Sequence, residues 1–230
     1  MKLYLDSAQV SSWALPPGCA PAIGITTNPS LIHQAGLSVS LPTYEALLQA
    51  AADQGFAELM LQLPEADAAL ALHWQERLRQ RAADVGLVLT IKLPCHAAWR
   101  GCIAAMRQVA QPVLLTGLSN AAQLLWADAQ GAAYVAPYIG RLAADGRDVW
   151  PLMEACVRAQ REQGPALLGA SIKSPDVLAR LMACGAAAVT LPPESLAAWS
   201  ADALTEAAMA QFERDTADSR AAQVGGQAGG

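Results

Sequence analysis

Short apolar runs alternate along this chain with longer stretches rich in Ala, Leu, Gln and Arg at helical spacing, and most of the runs close on or beside a polar residue. The runs span residues 2–6, 22–28, 58–63, 88–93, 112–117, 132–138, 166–171 and 187–191. Within each, hydrophobic and polar positions tend to alternate, the period-two signature of a strand. Between them, stretches such as 41–54, 66–85, 120–129, 149–163 and 175–184 carry apolar residues at helical spacing. Eight strand-then-helix units predict an α/β fold of the closed parallel kind, a (β/α)₈ TIM barrel. An open doubly wound sheet more often carries a glycine-rich phosphate loop after its first strand, and Asp6-Ser7-Ala8-Gln9 is unlike GxGxxG. The reading gives a single domain over residues 1–220, whose last part, 201–220, is an amphipathic helix, followed by a flexible tail over 221–230.

Parity assigns faces. In the run Val88-Leu89-Thr90-Ile91-Lys92-Leu93-Pro94, the two leucines and Ile91 share one parity and Val88, Thr90 and Lys92 the other. If the leucines meet helices, Lys92 faces the barrel's centre. A free lysine, with pKa ~10.4, is only ~0.1% neutral near pH 7.4, and burial disfavours the charged form. A buried lysine is therefore a candidate nucleophile toward a carbonyl substrate. A lysine snorkelling at a strand end, or one paired with a carboxylate, accounts for the residue equally well.

The same alternation sets Asp6 against Leu3 and Leu5, and Thr26 and Asn28 against Ile23 and Ile25. It sets Gln62 against Leu59, Leu61 and Leu63, Thr116 against Val113 and Leu115, Tyr138 against Val135, and Ser171 against Leu168 and Ala170. All these polar residues are thus expected inside the barrel at the carboxyl ends of strands, where barrel enzymes build their sites. Singly, Asp6, Asn28 and Ser171 are equally explained as helix caps, and Gln62, Thr116 and Tyr138 as satisfied interior or rim polars. As a set they suit a polyhydroxylated carbonyl compound, whose hydroxyls need many donors and acceptors.

Composition narrows the class without naming the chemistry. With 230 residues, 53% of them hydrophobic, the chain can bury a sizeable core, and a net charge of −5 with scattered basic residues argues against a nucleic-acid partner. No apolar stretch reaches the ~18–20 residues of a membrane span, and the first residues lack a secretion signal's apolar core, so a cytoplasmic, non-membrane protein is expected. Cys19, Cys95, Cys102, Cys156 and Cys184 are widely spaced, as reduced thiols would be. His33, His73 and His96 are isolated, so no metal is expected.

Four motifs carry a resemblance. They are Gly24-Ile25-Thr26-Thr27-Asn28-Pro29-Ser30-Leu31-Ile32, Ile91-Lys92-Leu93-Pro94, Tyr134-Val135-Ala136-Pro137-Tyr138-Ile139-Gly140-Arg141 and Gly169-Ala170-Ser171-Ile172-Lys173-Ser174-Pro175. With them, the chain from Leu3 to Asp215 resembles the transaldolase family, most closely its small fructose-6-phosphate aldolase branch. The resemblance implies class I aldolase chemistry with no cofactor and no metal, in which Lys92 forms an imine with a ketose or with dihydroxyacetone. It implies that Asp6 and Asn28 bond substrate hydroxyls and assist proton movements, that Thr116 helps hold a catalytic water, and that Thr26 stands with the substrate-binding residues. Transaldolases proper are similar but carry a glutamate at the Gln62 position and a phenylalanine at the Tyr138 position. Gln62, Tyr138 and Ala136 all match the aldolase branch. A neutral glutamine can only orient a water, which leaves the phenol of Tyr138 as the ionisable partner. Arg141 and Ser171 match the family's phosphate-binding positions. A homo-oligomer of two five-membered rings is implied by the same resemblance, as is a sugar phosphate substrate.

The chain also departs from the family. Cys95-His96-Ala97-Ala98-Trp99-Arg100 replaces a shorter threonine-containing loop, Ala143 replaces an acidic residue, Gly146-Arg147-Asp148-Val149-Trp150-Pro151 is unlike the family, and Ser119-Asn120 stand where an aromatic and a small residue are common. Three functions are therefore in play: an aldolase cleaving a ketose phosphate such as fructose 6-phosphate, a transaldolase passing on the dihydroxyacetone unit, and a non-catalytic sugar-phosphate-binding barrel.

Overall fold

The computed structural model describes residues 1–227 and closes eight parallel strands into one barrel, each hydrogen-bonded to its sequence neighbour and the last to the first. The strands are β1 (Lys2–Asp6), β2 (Gly24–Thr26), β3 (Glu58–Gln62), β4 (Val88–Pro94), β5 (Val113–Leu118), β6 (Tyr134–Pro137), β7 (Ala166–Gly169) and β8 (Ala188–Leu191). Around them run α1 (Pro29–Gln34), α2 (Leu41–Asp53), α3 (Ala68–Asp84), α4 (Arg100–Gln108), α5 (Ala121–Ala129), α6 (Ile139–Ala144), α7 (Trp150–Arg161), α8 (Pro175–Cys184), α9 (Pro193–Ser200) and α10 (Ala203–Gln227). The expected (β/α)₈ barrel is the fold. Between β1 and β2 a 3₁₀ turn, Val10–Ser12, takes the place of a helix.

Elements start where local chemistry supplies a cap. Asn28, Ser40, Asp67, Asn120 and Ser174 each accept a hydrogen bond from the backbone amide three residues on, satisfying a donor the helix leaves free. That is why β2 ends at Thr26 although the apolar run continues to Asn28: the last residues of the run are already turning into α1. α8 stops at Gly185, whose φ of +94° is readily available only to glycine. The tail expected over 221–230 overlaps the end of α10, and residues 228–230 lie outside the described residues.

Strand alternation produces two separate cores. Leu5, Ile25, Leu59, Leu61, Ile91, Leu93, Leu115, Val135, Leu167 and Val189 pack outward against the helices. Tyr4, Met60, Leu114, Ala136, Leu168, Ala170 and Ala188 fill the lumen. One face assignment is corrected here. Leu168 and Ala170 point inward, so strand parity does not bring Ser171 to the site. Ser171 reaches it because its backbone turns left-handed, at φ +58°, just after β7 ends.

The amino end of the lumen is plugged by a buried polar cluster. The Glu58 carboxylate accepts from the Tyr4 hydroxyl at 2.6 Å and from Thr90 Oγ1 at 2.9 Å, with Lys2 Nζ at 3.5 Å. Burial raises the Tyr4 phenol far above its ordinary pKa, so it acts only as a donor here. With that end filled, the lumen's open cavity lies at the carboxyl ends of the strands. Among the described residues no helix is long and apolar enough to cross a membrane.

Candidate active site

A cavity of about 730 Å³ occupies the open end of the barrel. Asp6, Asn28, Gln62, Lys92, Thr116, Ala136, Tyr138, Arg141 and Ser171 all line it, drawn from the ends of seven different strands or the turns after them. Of the residues singled out in the sequence, Thr26 alone is set back from the wall. It is fully buried and braces its neighbours: its Oγ1 donates to Asp6 Oδ1 at 2.8 Å and shares a 2.7 Å hydrogen bond with Thr190 Oγ1.

Lys92 is 6% exposed. In register, β4 sets it between Gln62 and Leu114, and its Nζ donates to the Thr27 carbonyl at 2.8 Å. Burial among Leu114, Ala136 and Leu168 lowers its pKa below the ordinary lysine value, and the Asp6 carboxylate acts in the opposite sense. Burial is the larger effect, so the neutral, nucleophilic amine is more accessible here than in a free lysine. Next along the barrel wall, on β5 and just after β6, Thr116 Oγ1 donates to the Tyr138 hydroxyl at 2.8 Å. The small Ala136, paired in register with Thr116, leaves room beside them.

The other side of the cavity is cationic. Arg141 lies over the Tyr138 ring, 4.5 Å from Cζ to centroid, and Lys173 joins it on the wall. The amide of Gly140 donates to the Ser171 carbonyl at 2.9 Å, which seats the first turn of α6 directly on the left-handed turn after β7. An amine and a carboxylate at one end, and a guanidinium, an ammonium and a hydroxyl at the other, can hold a carbonyl compound that carries an anion.

Some site residues were not singled out in the sequence. Thr190 lines the cavity and completes the Asp6–Thr26 brace; its signal was the alternation Ala188-Val189-Thr190-Leu191, which puts it on the inward parity. Ser30, Gln34 and Glu194 form the rim, and only the fold brings them there. His96 stays outside the cavity wall, its Nδ1 accepting from the Ala98 amide at 3.2 Å. Asn28 serves twice, capping α1 through Oδ1 while lining the cavity. A somewhat larger groove, about 810 Å³, runs between α2 and α3 on the outer surface. Its charged side chains are solvated, as in the Arg77–Glu45 pair at 2.7 Å, and none of the residues that line it is a buried reactive group.

Residues 3–227 match the sequence model of the family described as Transaldolase/Fructose-6-phosphate aldolase. The chain belongs to this family. Among solved structures the likeness is of fold alone. A flavocytochrome b2 variant with sulfite bound shares 13% identity at a TM-score of 0.54, over 87% of this chain and 59% of that one. The PaMucR phosphodiesterase in complex with c-di-GMP shares 15% at 0.53, over 76% of this chain and 85% of that one. The recombinant flavin-binding domain of baker's yeast flavocytochrome b2 shares 14% at 0.53, over 86% of this chain and 58% of that one. This family member thus spans less than two thirds of the length of these flavocytochrome chains.

Proposed function

We propose that the protein is a class I aldolase that cleaves, or in reverse forms, a ketose phosphate such as fructose 6-phosphate through an imine at Lys92. The observation that carries this reading is the burial of Lys92 at the end of β4, with its basicity lowered and a cationic anchor across the same cavity. The neutral Lys92 amine adds to the ketose carbonyl, and loss of water leaves a protonated imine. This cationic nitrogen is the electron sink. A base takes the proton of the hydroxyl on the far carbon of the bond to be broken, C4 of the ketose, the C3–C4 bond opens as C4 becomes a carbonyl, and the aldehyde phosphate departs. The electron pair is held as an enamine. Protonation of the enamine carbon and hydrolysis of the imine release dihydroxyacetone and restore the amine.

In this scheme the Tyr138 phenol, held by Thr116, moves the proton, and Gln62, lacking an acid of its own, orients the water. Asp6 and Asn28 bond substrate hydroxyls, and Arg141 and Ser171 hold the phosphate. The free thiols of all five cysteines support a reducing, cytoplasmic setting as part of the same reading. The exposed Leu204, Met209 and Phe212 of α10 support assembly into a homo-oligomer.

Treating the enzyme with borohydride and dihydroxyacetone is expected to leave a reduced three-carbon adduct on the peptide carrying Lys92, absent from Lys92→Met. An unmodified peptide in the wild type defeats the proposal. With fructose 6-phosphate alone, release of free dihydroxyacetone marks an aldolase, whereas a strict transaldolase releases none until an aldose phosphate acceptor is added.

A further inference from the structure

We propose that Gln123 is a positioning residue for the Thr116–Tyr138 pair, its side-chain amide standing in for a missing rung of the β4–β5 ladder. The inference rests on the imine reading above, and it concerns a residue that neither lines the cavity nor touches Lys92. The regular pairing of β4 with β5 runs from Ile91 opposite Val113 to Pro94 opposite Thr116, and is extended by the Cys95 amide donating to the Thr116 carbonyl at 2.8 Å. There it stops. Gly117 adopts φ +79°, and the pairing of β5 with β6 slips between Thr116 and Leu118. Beyond the slip, the backbone groups at the seam are the Cys95 carbonyl and the Ser119 amide.

Gln123, in the first turn of α5, takes both. Its Oε1 accepts from the Ser119 amide at 2.7 Å and from Ser119 Oγ at 2.9 Å, and its Nε2 donates to the Cys95 carbonyl at 3.2 Å. A primary amide carries one acceptor and a donor in a fixed plane, the same pair that a peptide unit offers a parallel neighbour. Gln123 is itself held, since its backbone amide donates to the Asn120 cap at 3.0 Å and its carbonyl accepts from Cys95 Sγ at 3.9 Å. The departures at Cys95 and at Ser119-Asn120 therefore meet on one side chain.

The consequence falls on Thr116. It sits between the last ladder bond and the left-handed Gly117, against which the Tyr138 ring packs closely enough that a Cβ there would lie 3.8 Å from Cε2. Without the clasp the ends of β4 and β5 are free to part, Gly117 relaxes, and Thr116 Oγ1 is no longer held 2.8 Å from the Tyr138 hydroxyl. The barrel supplies its own control at the other end of the seam. There Gln111 Nε2 donates to the Leu89 carbonyl at 2.8 Å and Gln111 Oε1 accepts from Gln75 at 3.1 Å, in a buried site away from the cavity.

The test compares Gln123→Met, Gln123→Glu and Gln111→Met with the wild type, reading thermal midpoint, borohydride trapping of Lys92 with dihydroxyacetone, and kcat and KM for fructose 6-phosphate cleavage. Gln123→Met is expected to lose about 10- to 100-fold in kcat, the cost of misplacing a proton-transfer pair. KM should move by less than about threefold and trapping should persist. Gln123→Glu keeps the acceptor for Ser119 but sets a carboxylate oxygen where the donor to the Cys95 carbonyl stood, so it is expected to show the same loss in kcat with trapping retained. Gln111→Met is expected to lower the midpoint and keep kcat. A Gln123→Met enzyme that loses stability as Gln111→Met does, with unchanged kcat, overturns the inference. So does one whose trapping falls in step with kcat. A wild type that forms no Lys92 adduct removes the underlying reading, and the inference with it.

Discussion

Among the described residues, Lys92 Nζ makes a single hydrogen bond, to the Thr27 carbonyl, although an ammonium carries three donors. Burial thus disfavours the charged form, while the neutral amine loses little. Between its lowered folded value and the ~10.4 of an unfolded lysine, the unfolded chain binds more protons than the folded one, so stability rises with pH across that window. Below the folded value both states are charged and the destabilisation is complete. Lys92→Met is therefore expected to melt higher than the wild type near pH 6, by about 2–4 °C for each kcal/mol recovered, with the gap narrowing as pH approaches about 10. Thermal scans across that range check it, and a gap that widens toward alkaline pH contradicts it. The inward aim of Lys92 was readable because Leu89, Ile91 and Leu93 fix the opposite face of the same strand. Ser171 was readable only by type. Its route into the cavity is a left-handed turn, and nothing in Gly169-Ala170-Ser171 states where the strand ends.

At the scale of elements, the shortest strand carries the tightest constraint. β2 pairs Gly24 with Glu58, and a Cβ on Gly24 would stand 2.2 Å from the Glu58 carbonyl oxygen. An alanine there must push β2 from β3, because a neighbouring backbone cannot swing aside as a flexible side chain can. Gly24→Ala is expected to cost about 1–3 kcal/mol. Since β2 leads into Thr26 and Thr27, it should also loosen the bonds these make to Asp6 and Lys92 and slow imine trapping. Denaturant midpoints and trapping rates test both parts, and a variant as stable and as fast as the wild type refutes them. Strand existence was legible because period-two alternation states which residues cannot face water. Element ends were less so, because they depend on caps. Asn28 reads equally as the last residue of a strand or the first of a helix, and its Oδ1 bond to the Leu31 amide decides for the helix. Gln123 was invisible for a further reason: its partners, Cys95 and Ser119, lie in loops that only the closed barrel brings together.

For the whole molecule, the barrel closes on itself without α10, and the cavity wall is complete by Glu194, before that helix begins. Every side chain described in α10, from Ala203 to Arg220, is exposed, including Leu204 at 82%, Met209 at 51% and Phe212 at 61%. Most helical stability in proteins comes from packing an apolar face, and a lone helix in water is marginal. A helix of 25 residues with three large apolar side chains in water among its described residues therefore points to a surface it has yet to meet. A second copy of the chain is the occupant that the family resemblance favours. Light scattering is expected to give a mass several times 24.0 kDa. Replacing Leu204 and Phe212 together by Asp should reduce that mass and the helical circular-dichroism signal. The same double variant should still form the borohydride adduct at Lys92, because no cavity-lining residue is among the described residues of α10. A wild type that scatters as a single chain refutes assembly. A double variant that disassembles and also loses the adduct shows instead that the neighbouring copy completes the site.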